Sequence, residues 1–148
     1  MPSARSQLRP DESAERGAVL FAERELRLPA EPSELAGVRD YVGRAASEFG
    51  FDDAGRRDFV LAANEAVTNA MRHGTAAADG TILLRITGRG ELLTLAVSDC
   101  GPFVTQAGEG DLLGESGRGF RFMTRLVDEI QLSIGRGRTT VSLHKRRA

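Results

Sequence analysis

The stretch "NEAVTNAMRHG", residues 64–74, decides how this chain folds and what it can bind. It places a carboxylate at Glu65 and a carboxamide at Asn69, and side chains four residues apart lie one above the other on a helix. Four alanines between 62 and 70 allow such a helix to pack closely on a sheet. The polar pair is therefore either a solvated surface pair or part of a site at the rim of the core.

The composition is that of a globular protein of 148 residues with 20 basic and 21 acidic side chains. A net charge near zero argues against a general nucleic-acid surface. The single cysteine allows no intramolecular disulfide and fits a reducing compartment. No apolar run is long enough to cross a membrane, and the N-terminus lacks the apolar core of a signal peptide. We expect a cytoplasmic protein without membrane contact.

The periodicity predicts one domain over 18–148 behind a polar, disordered leader at 1–17. The predicted elements are a strand within 19–29, helices over 33–49 and 54–73, a hairpin over 81–99, a helix over 119–130 and a closing hairpin. This order predicts a two-layer α/β sandwich, in which three helices cover one face of a mixed sheet.

The first two helices carry recognisable start signals and core stripes. Ser33 is placed to cap the first helix, and the acids of "GFDD" (50–53) to cap the second, which Gly74 would end. The apolar stripes fall at Leu35, Val38, Val42, Ala45 and Phe49 in the first helix, and at Phe59, Ala62, Ala66 and Ala70 in the second.

Two glycine-containing segments add candidate binding residues. In "SDCGPF" (98–103), Asp99 ends a strand, where a carboxylate can accept a hydrogen bond from an amino group such as that of adenine. Gly101 would let the backbone pass close to a flat ring. An ordinary Asp-x-Gly turn explains the same residues.

The second glycine-containing segment is "GESGRGF" (114–120), which opens the third helix. Free N–H groups at a helix start favour anions, and Gly117 and Gly119 would let phosphate oxygens approach the backbone. A flexible helix entry is the alternative. The sequence holds two further Gly-Arg-Gly runs, at 88–90 and 135–137, and both fit hairpin turns.

The order and spacing of these motifs resemble the GHKL ATPase superfamily, which binds ATP in the Bergerat fold. "NEAVTNAMRHG", "SDCGPF", "GRGFRFMTRLVDEI" and "RTTVSLHKR" are most similar to its anti-sigma-factor serine kinases, and the resemblance covers about residues 19–146. It implies a Bergerat-type, histidine-kinase-like ATPase fold. It also implies a protein serine/threonine kinase that binds ATP and Mg²⁺, phosphorylates a STAS-domain anti-anti-sigma protein and sequesters a sigma factor.

The resemblance also assigns roles residue by residue. Glu65 corresponds to the general base and Asn69 to the Mg²⁺ ligand, while Asp99 and Gly101 correspond to the adenine loop. The remaining matches are the phosphate-loop residues Gly117, Arg118 and Gly119, and Thr140 as the threonine of the last motif, with Thr139 as the second choice. Relatives usually form homodimers through the sheet or the first helix.

One departure from the family leaves a second function open. The lid segment 104–116 holds three acidic residues and no basic one, whereas kinases of this group tend to offer an arginine to the terminal phosphate from there. Arg118 could substitute. The alternative is an ATP-gated anti-sigma or adaptor module with weak or no phosphotransfer.

Overall fold

The computed structural model describes residues 21–73, 80–99, 115–135 and 138–147. The expected leader (1–17), Gly74 and Gly101 lie outside these residues. None of the described helices is both long and apolar enough to cross a membrane. The described elements are β1 (Arg24–Pro29), α1 (Leu35–Phe49), α2 (Asp53–His73), β2 (Thr81–Arg89), β3 (Leu92–Asp99), α3 (Glu115–Leu126), β4 (Glu129–Gly135) and β5 (Arg138–Arg146).

The described strands form a five-stranded sheet in the order β1-β2-β3-β5-β4. All four neighbouring pairs are antiparallel. The mixed sheet expected from the sequence is therefore wrong in that detail. Two of the pairs are hairpins, which can only be antiparallel, and the crossover through α3 and β4 returns β5 antiparallel to β3. β1 lies at one edge of this sheet.

One face of the sheet, here called the helix side, packs against the helices. Side chains of a strand alternate between the two faces, so opposing residues on neighbouring strands form rows across the sheet. Three rows on the helix side cross β2, β3 and β5: Ile86–Leu95–Leu143, Leu84–Val97–Val141 and Ile82–Asp99–Thr139. The first two rows are apolar and belong to the core, and the third brings two polar side chains to the same face.

α1 has the expected core stripe but a different start. The chain enters it through a 3₁₀ turn over Pro32–Glu34, and no side chain in the described part of the chain caps the helix, so the prediction of Ser33 as its cap is wrong. A proline at the first turn already fits helical geometry without a cap. The stripe is confirmed, since Val38, Val42, Ala45 and Phe49 are buried and Leu35 packs against them half-buried.

α2 begins as the sequence predicts. The Gly55 N–H donates a 2.7 Å hydrogen bond to Asp52 Oδ1, so a carboxylate of "GFDD" does cap the helix. Phe59, Ala62 and Ala66 are fully buried and Ala70 is partly buried, which confirms the predicted stripe. The small side chains of this stripe let α2 pack closely across β2, β3 and β5.

An aromatic cluster fills one end of the helix side. The rings of Phe49 and Phe51 lie 6.0 Å apart and those of Phe51 and Phe59 5.6 Å apart, all edge to face. Gly88 is required here, because a Cβ at that position would lie 2.5 Å from the Phe49 ring. Arg147 lies over the same ring and donates a hydrogen bond from Nη1 to the Phe49 carbonyl, 2.8 Å away.

Candidate functional site

The polar face of α2 contains a buried oxygen atom that has no hydrogen-bond partner among the described residues. Glu65 and Asn69 are both half-buried, whereas Leu61 and Arg72 on the same side are exposed. Among the described residues, nothing donates to the buried Oδ1 of Asn69. A buried amide oxygen without a partner costs about 1–3 kcal/mol. Unbonded buried polar atoms are rare in native structures, and a bound ion, water or ligand is one explanation for them.

Asp99 lies at the end of β3, in the third row of the helix side. It is 4 % exposed, and its direct neighbours across the strands are Ile82 and Thr139. A buried acid is costly unless it bonds a partner, and it can accept hydrogen bonds through both oxygens when ionised. The position fits recognition of an amino group.

Thr139, rather than Thr140, shares the row with Asp99. Thr139 is 7 % exposed, and its Oγ1 has no hydrogen bond within the described residues. Thr140 points to the opposite face, where its Oγ1 lies 2.8 Å from the Ser98 Oγ. The geometry therefore places Thr139, and not Thr140, on the face that carries Asp99, and the role of either threonine towards a nucleotide stays a prediction. The signal was in the sequence, because Val141 and Leu143 alternate with Thr139 and not with Thr140.

The Gly-Arg-Gly run belongs to α3, not to a loop before it. α3 begins at Glu115 and ends at Leu126, so the helix predicted over 119–130 starts and stops four residues too late. Only the first four N–H groups of a helix lack helical partners. Gly117 and Arg118 fall among these four, and Gly119 is the fifth residue. The roles assigned to all three stay predictions.

The described contacts place α2 over the strands that carry Asp99 and Thr139. α2 contacts β3, β5 and α3. Its Phe59 lies in the aromatic cluster beside Gly88. From there to Asn69 the helix advances about 15 Å, and β2 covers about 20 Å between Gly88 and Ile82. A helix that runs along the strands from the aromatic cluster would bring Asn69 towards the end of the sheet where Asp99 and Thr139 lie.

Comparison with known proteins decides the family. The model of the family described as "Histidine kinase-like ATPase domain" matches residues 28–145. The chain belongs to the histidine kinase-like ATPase family. The fold predicted from the sequence, a Bergerat-type ATPase sandwich, is thereby confirmed.

Individual relatives indicate which branch of the family the chain resembles. The chain is 29 % identical over 137 residues to the serine-protein kinase RsbW of Bacillus pumilus strain SAFR-032, covering 82 % of this chain and 83 % of that one. It is 31 % identical over 134 residues to RsbW of Bacillus licheniformis, with the same coverage. The crystal structure of the RsbU and RsbW domains of a Mycobacterium tuberculosis protein superposes with a TM-score of 0.66 at 26 % identity, covering 84 % of this chain and 32 % of that one. The serine-kinase branch predicted from the sequence is confirmed.

Proposed function

We propose that this protein is an ATP-dependent serine/threonine kinase that phosphorylates a STAS-domain anti-anti-sigma protein and alternatively sequesters a sigma factor. Two observations together carry the proposal. Asp99 and Thr139 are buried side by side on neighbouring strands, and the buried Oδ1 of Asn69 on α2 has no hydrogen-bond partner among the described residues. The serine-protein kinases among its relatives support the same reaction class.

Adenine recognition is proposed for the row at the end of the sheet. The Asp99 carboxylate would accept a hydrogen bond from the exocyclic amino group of adenine, and Gly101 would leave room for the ring beside it. The neighbouring Thr139 hydroxyl can donate or accept a further hydrogen bond, directly or through a water. A keto group in place of the amino group would face an acceptor, so guanine nucleotides are selected against.

The phosphates and Mg²⁺ are proposed to lie between α2 and the start of α3. The N–H groups of Gly117 and Arg118, at the first turn of α3, would donate to phosphate oxygens. The Asn69 Oδ1 is the kind of neutral oxygen ligand that Mg²⁺ takes beside phosphates and waters, and its buried, unbonded state among the described residues fits that role. When bound, Mg²⁺ neutralises charge on the transferring phosphoryl group.

Glu65 is proposed as the catalytic base. Its carboxylate, one helical turn before Asn69, would accept the proton of the substrate serine hydroxyl. The serine oxygen then forms a bond to the γ-phosphorus while the bond from that phosphorus to the bridging oxygen breaks. ADP leaves with the bridging electron pair, and the phosphoserine product departs with its protein.

The acidic lid favours a second candidate function. The segment 104–116 contains Glu109, Asp111 and Glu115 and no arginine or lysine. Three carboxylates near a triphosphate would repel it, because both groups are negatively charged. Such a chain could bind ATP and hold its partners without transferring the phosphate, as an ATP-gated anti-sigma or adaptor module.

Transfer of labelled phosphate separates the two candidates. The purified protein is incubated with [γ-³²P]ATP, Mg²⁺ and its cognate STAS-domain protein, beside a Glu65→Gln control. The kinase proposal expects label on a serine of the STAS protein with the unsubstituted chain and almost none with the control. Saturable ATP binding without any transfer would overturn the kinase and leave the binding module.

A further inference from the structure

The last row of the helix side crosses all five strands of the sheet. Asp99 and Thr139 lie inside it, and its members in strand order are Leu28, Ile82, Asp99, Thr139 and Ile134. The first four side chains are buried, whereas Ile134 on the edge strand β4 is 54 % exposed. The row is therefore closed on the side of β1 and open at β4, directly beside Thr139.

The exposure of Ile134 is not a simple consequence of its place at an edge. Leu28 ends the same row at the opposite edge of the sheet and is only 5 % exposed. Along β4, exposure on the helix side rises from Ile130, which packs against the core, through Leu132 to Ile134. Apolar surface is thus left open at the end of the sheet where the row carries its two polar side chains.

This combination of side chains suits a flat heteroaromatic ligand. Small-molecule sites are mostly lined by apolar side chains and hold a few placed polar groups. Asp99 can accept hydrogen bonds when ionised, the Thr139 hydroxyl has no hydrogen bond within the described residues, and Ile134 offers apolar surface beside them. A purine uses both kinds of contact, because its edge is polar and its two faces are apolar.

The distances within the row also fit a purine. Neighbouring strands lie about 4.8 Å apart, so the backbones at Asp99 and Ile134 are separated by about 10 Å. The space on the other side of Asp99 is filled by the buried Ile82. A purine whose amino group bonds the Asp99 carboxylate would therefore extend past Thr139. A hydrogen bond of about 3 Å and the length of the ring system together cover the distance to Ile134.

We propose that Ile134 is an apolar wall of the adenine site, and that the purine ring of bound ATP covers part of its exposed side chain. Ile134 has this role only if Asp99 binds the adenine, so the wall rests on the proposed function. It is a further contact, because Ile134 lies in none of the motifs that resemble the family. Covering part of an isoleucine side chain lowers the dissociation constant of ATP about three- to tenfold.

Calorimetric titration of the full chain with ATP and Mg²⁺ tests the wall in two matched variants. Ile134→Thr keeps the β-branched shape that strands favour but removes apolar surface beside the base. Leu132→Thr makes a similar change one row away on the same face, at a side chain that is 42 % exposed. The dissociation constant should rise about three- to tenfold in Ile134→Thr and less than about twofold in Leu132→Thr. ADP should show the same ratios, because it carries the same base.

A fluorescent reporter tests the contact itself, because the sequence contains no tryptophan. In Ile134→Trp the indole would lie against the purine, so ATP should change its emission saturably. Magnesium tripolyphosphate, which lacks the base, should leave the emission unchanged. Leu132→Trp is the control and should respond far less to ATP. Circular dichroism checks that each variant is folded.

The outcomes separate the wall from the nucleotide site as a whole. If the unsubstituted protein binds no ATP, the proposed function falls and the wall falls with it. If it does bind ATP, three results would each overturn the wall alone: unchanged affinity in Ile134→Thr, an equal loss in Leu132→Thr, or an indole at position 134 that does not respond to ATP.

Discussion

The two ends of the helix side are equally buried and opposite in chemistry. At one end the rings of Phe49, Phe51 and Phe59 pack edge to face, with Phe59 fully buried. At the other end Asp99 and Thr139 are only 4 % and 7 % exposed. The aromatic end follows the rule that buried surface is apolar, whereas the polar end violates it at a cost in stability. Such a violation marks the place where a fold gives up stability for function.

Of the substitutions at the polar end, Glu65→Gln should have the largest effect on phosphotransfer. The amide keeps the shape of the side chain but cannot accept the serine proton, so phosphotransfer should fall by about 10²–10⁴-fold. ATP affinity should stay within about twofold, because Glu65 is proposed to touch the serine and not the nucleotide. Single-turnover transfer of labelled phosphate measures the first quantity and calorimetry the second. An unchanged transfer rate would remove Glu65 from the catalytic step.

At the aromatic end, Phe59→Ala should have the largest effect on stability. Removing this fully buried ring leaves a cavity between α2 and the sheet, which should lower the free energy of unfolding by about 3–5 kcal/mol. Urea denaturation followed by circular dichroism measures the loss. A change below about 1 kcal/mol would show that this end does not hold the fold together, and the contrast between the two ends would fail.

Asp99→Asn sharpens the contrast at the polar end. The amide can orient its NH₂ towards the adenine amino group and offers a neutral acceptor at best, so ATP binding should weaken by about 1–3 kcal/mol. The free energy of unfolding should change less than it does in Phe59→Ala. Competition between ATP and GTP checks the role of the carboxylate. Equal affinity of the unsubstituted protein for the two nucleotides would contradict it.

The smallest expected effect separates Thr139 from Thr140. Thr139→Val removes a buried hydroxyl that has no hydrogen bond within the described residues, so stability should hold or rise slightly while ATP affinity drops by about 0.5–1.5 kcal/mol. Thr140→Val removes the bond to Ser98 on the other face and should cost about 1 kcal/mol of stability with ATP affinity unchanged. The reverse pattern would restore Thr140 as the nucleotide contact.

The sequence predicted those features of the fold that local periodicity controls. The stripes of α1 and α2 repeat every three to four residues, and their burial follows directly from that period. The carboxylate cap of α2 was equally local, because Asp52 and Gly55 are three residues apart. The start of α1 was missed, because Pro32 sets a 3₁₀ turn that competes with a serine cap at Ser33.

The features that the sequence left open or misplaced depend on contacts between distant segments. Whether Thr139 or Thr140 faces the helices is fixed by pairing with β3, more than forty residues earlier, and a shift of one residue exchanges the faces. The start of α3 was placed too late because Gly117 and Gly119 have low helix propensity, which the packing of α3 against α2 and β4 overrides. The candidate site itself was predicted from motif spacing, and its residue roles stay predictions.

Calorimetric titration of the full chain with ATP in the presence of Mg²⁺ tests the central claim most directly. The claim is that the buried polar end, with Asn69, Asp99 and Thr139, holds a magnesium nucleotide. The account predicts a saturable heat that depends on Mg²⁺ and is lost or greatly reduced in Asn69→Ala, although that variant remains folded. No heat with the unsubstituted protein, or the same affinity in Asn69→Ala, would contradict it.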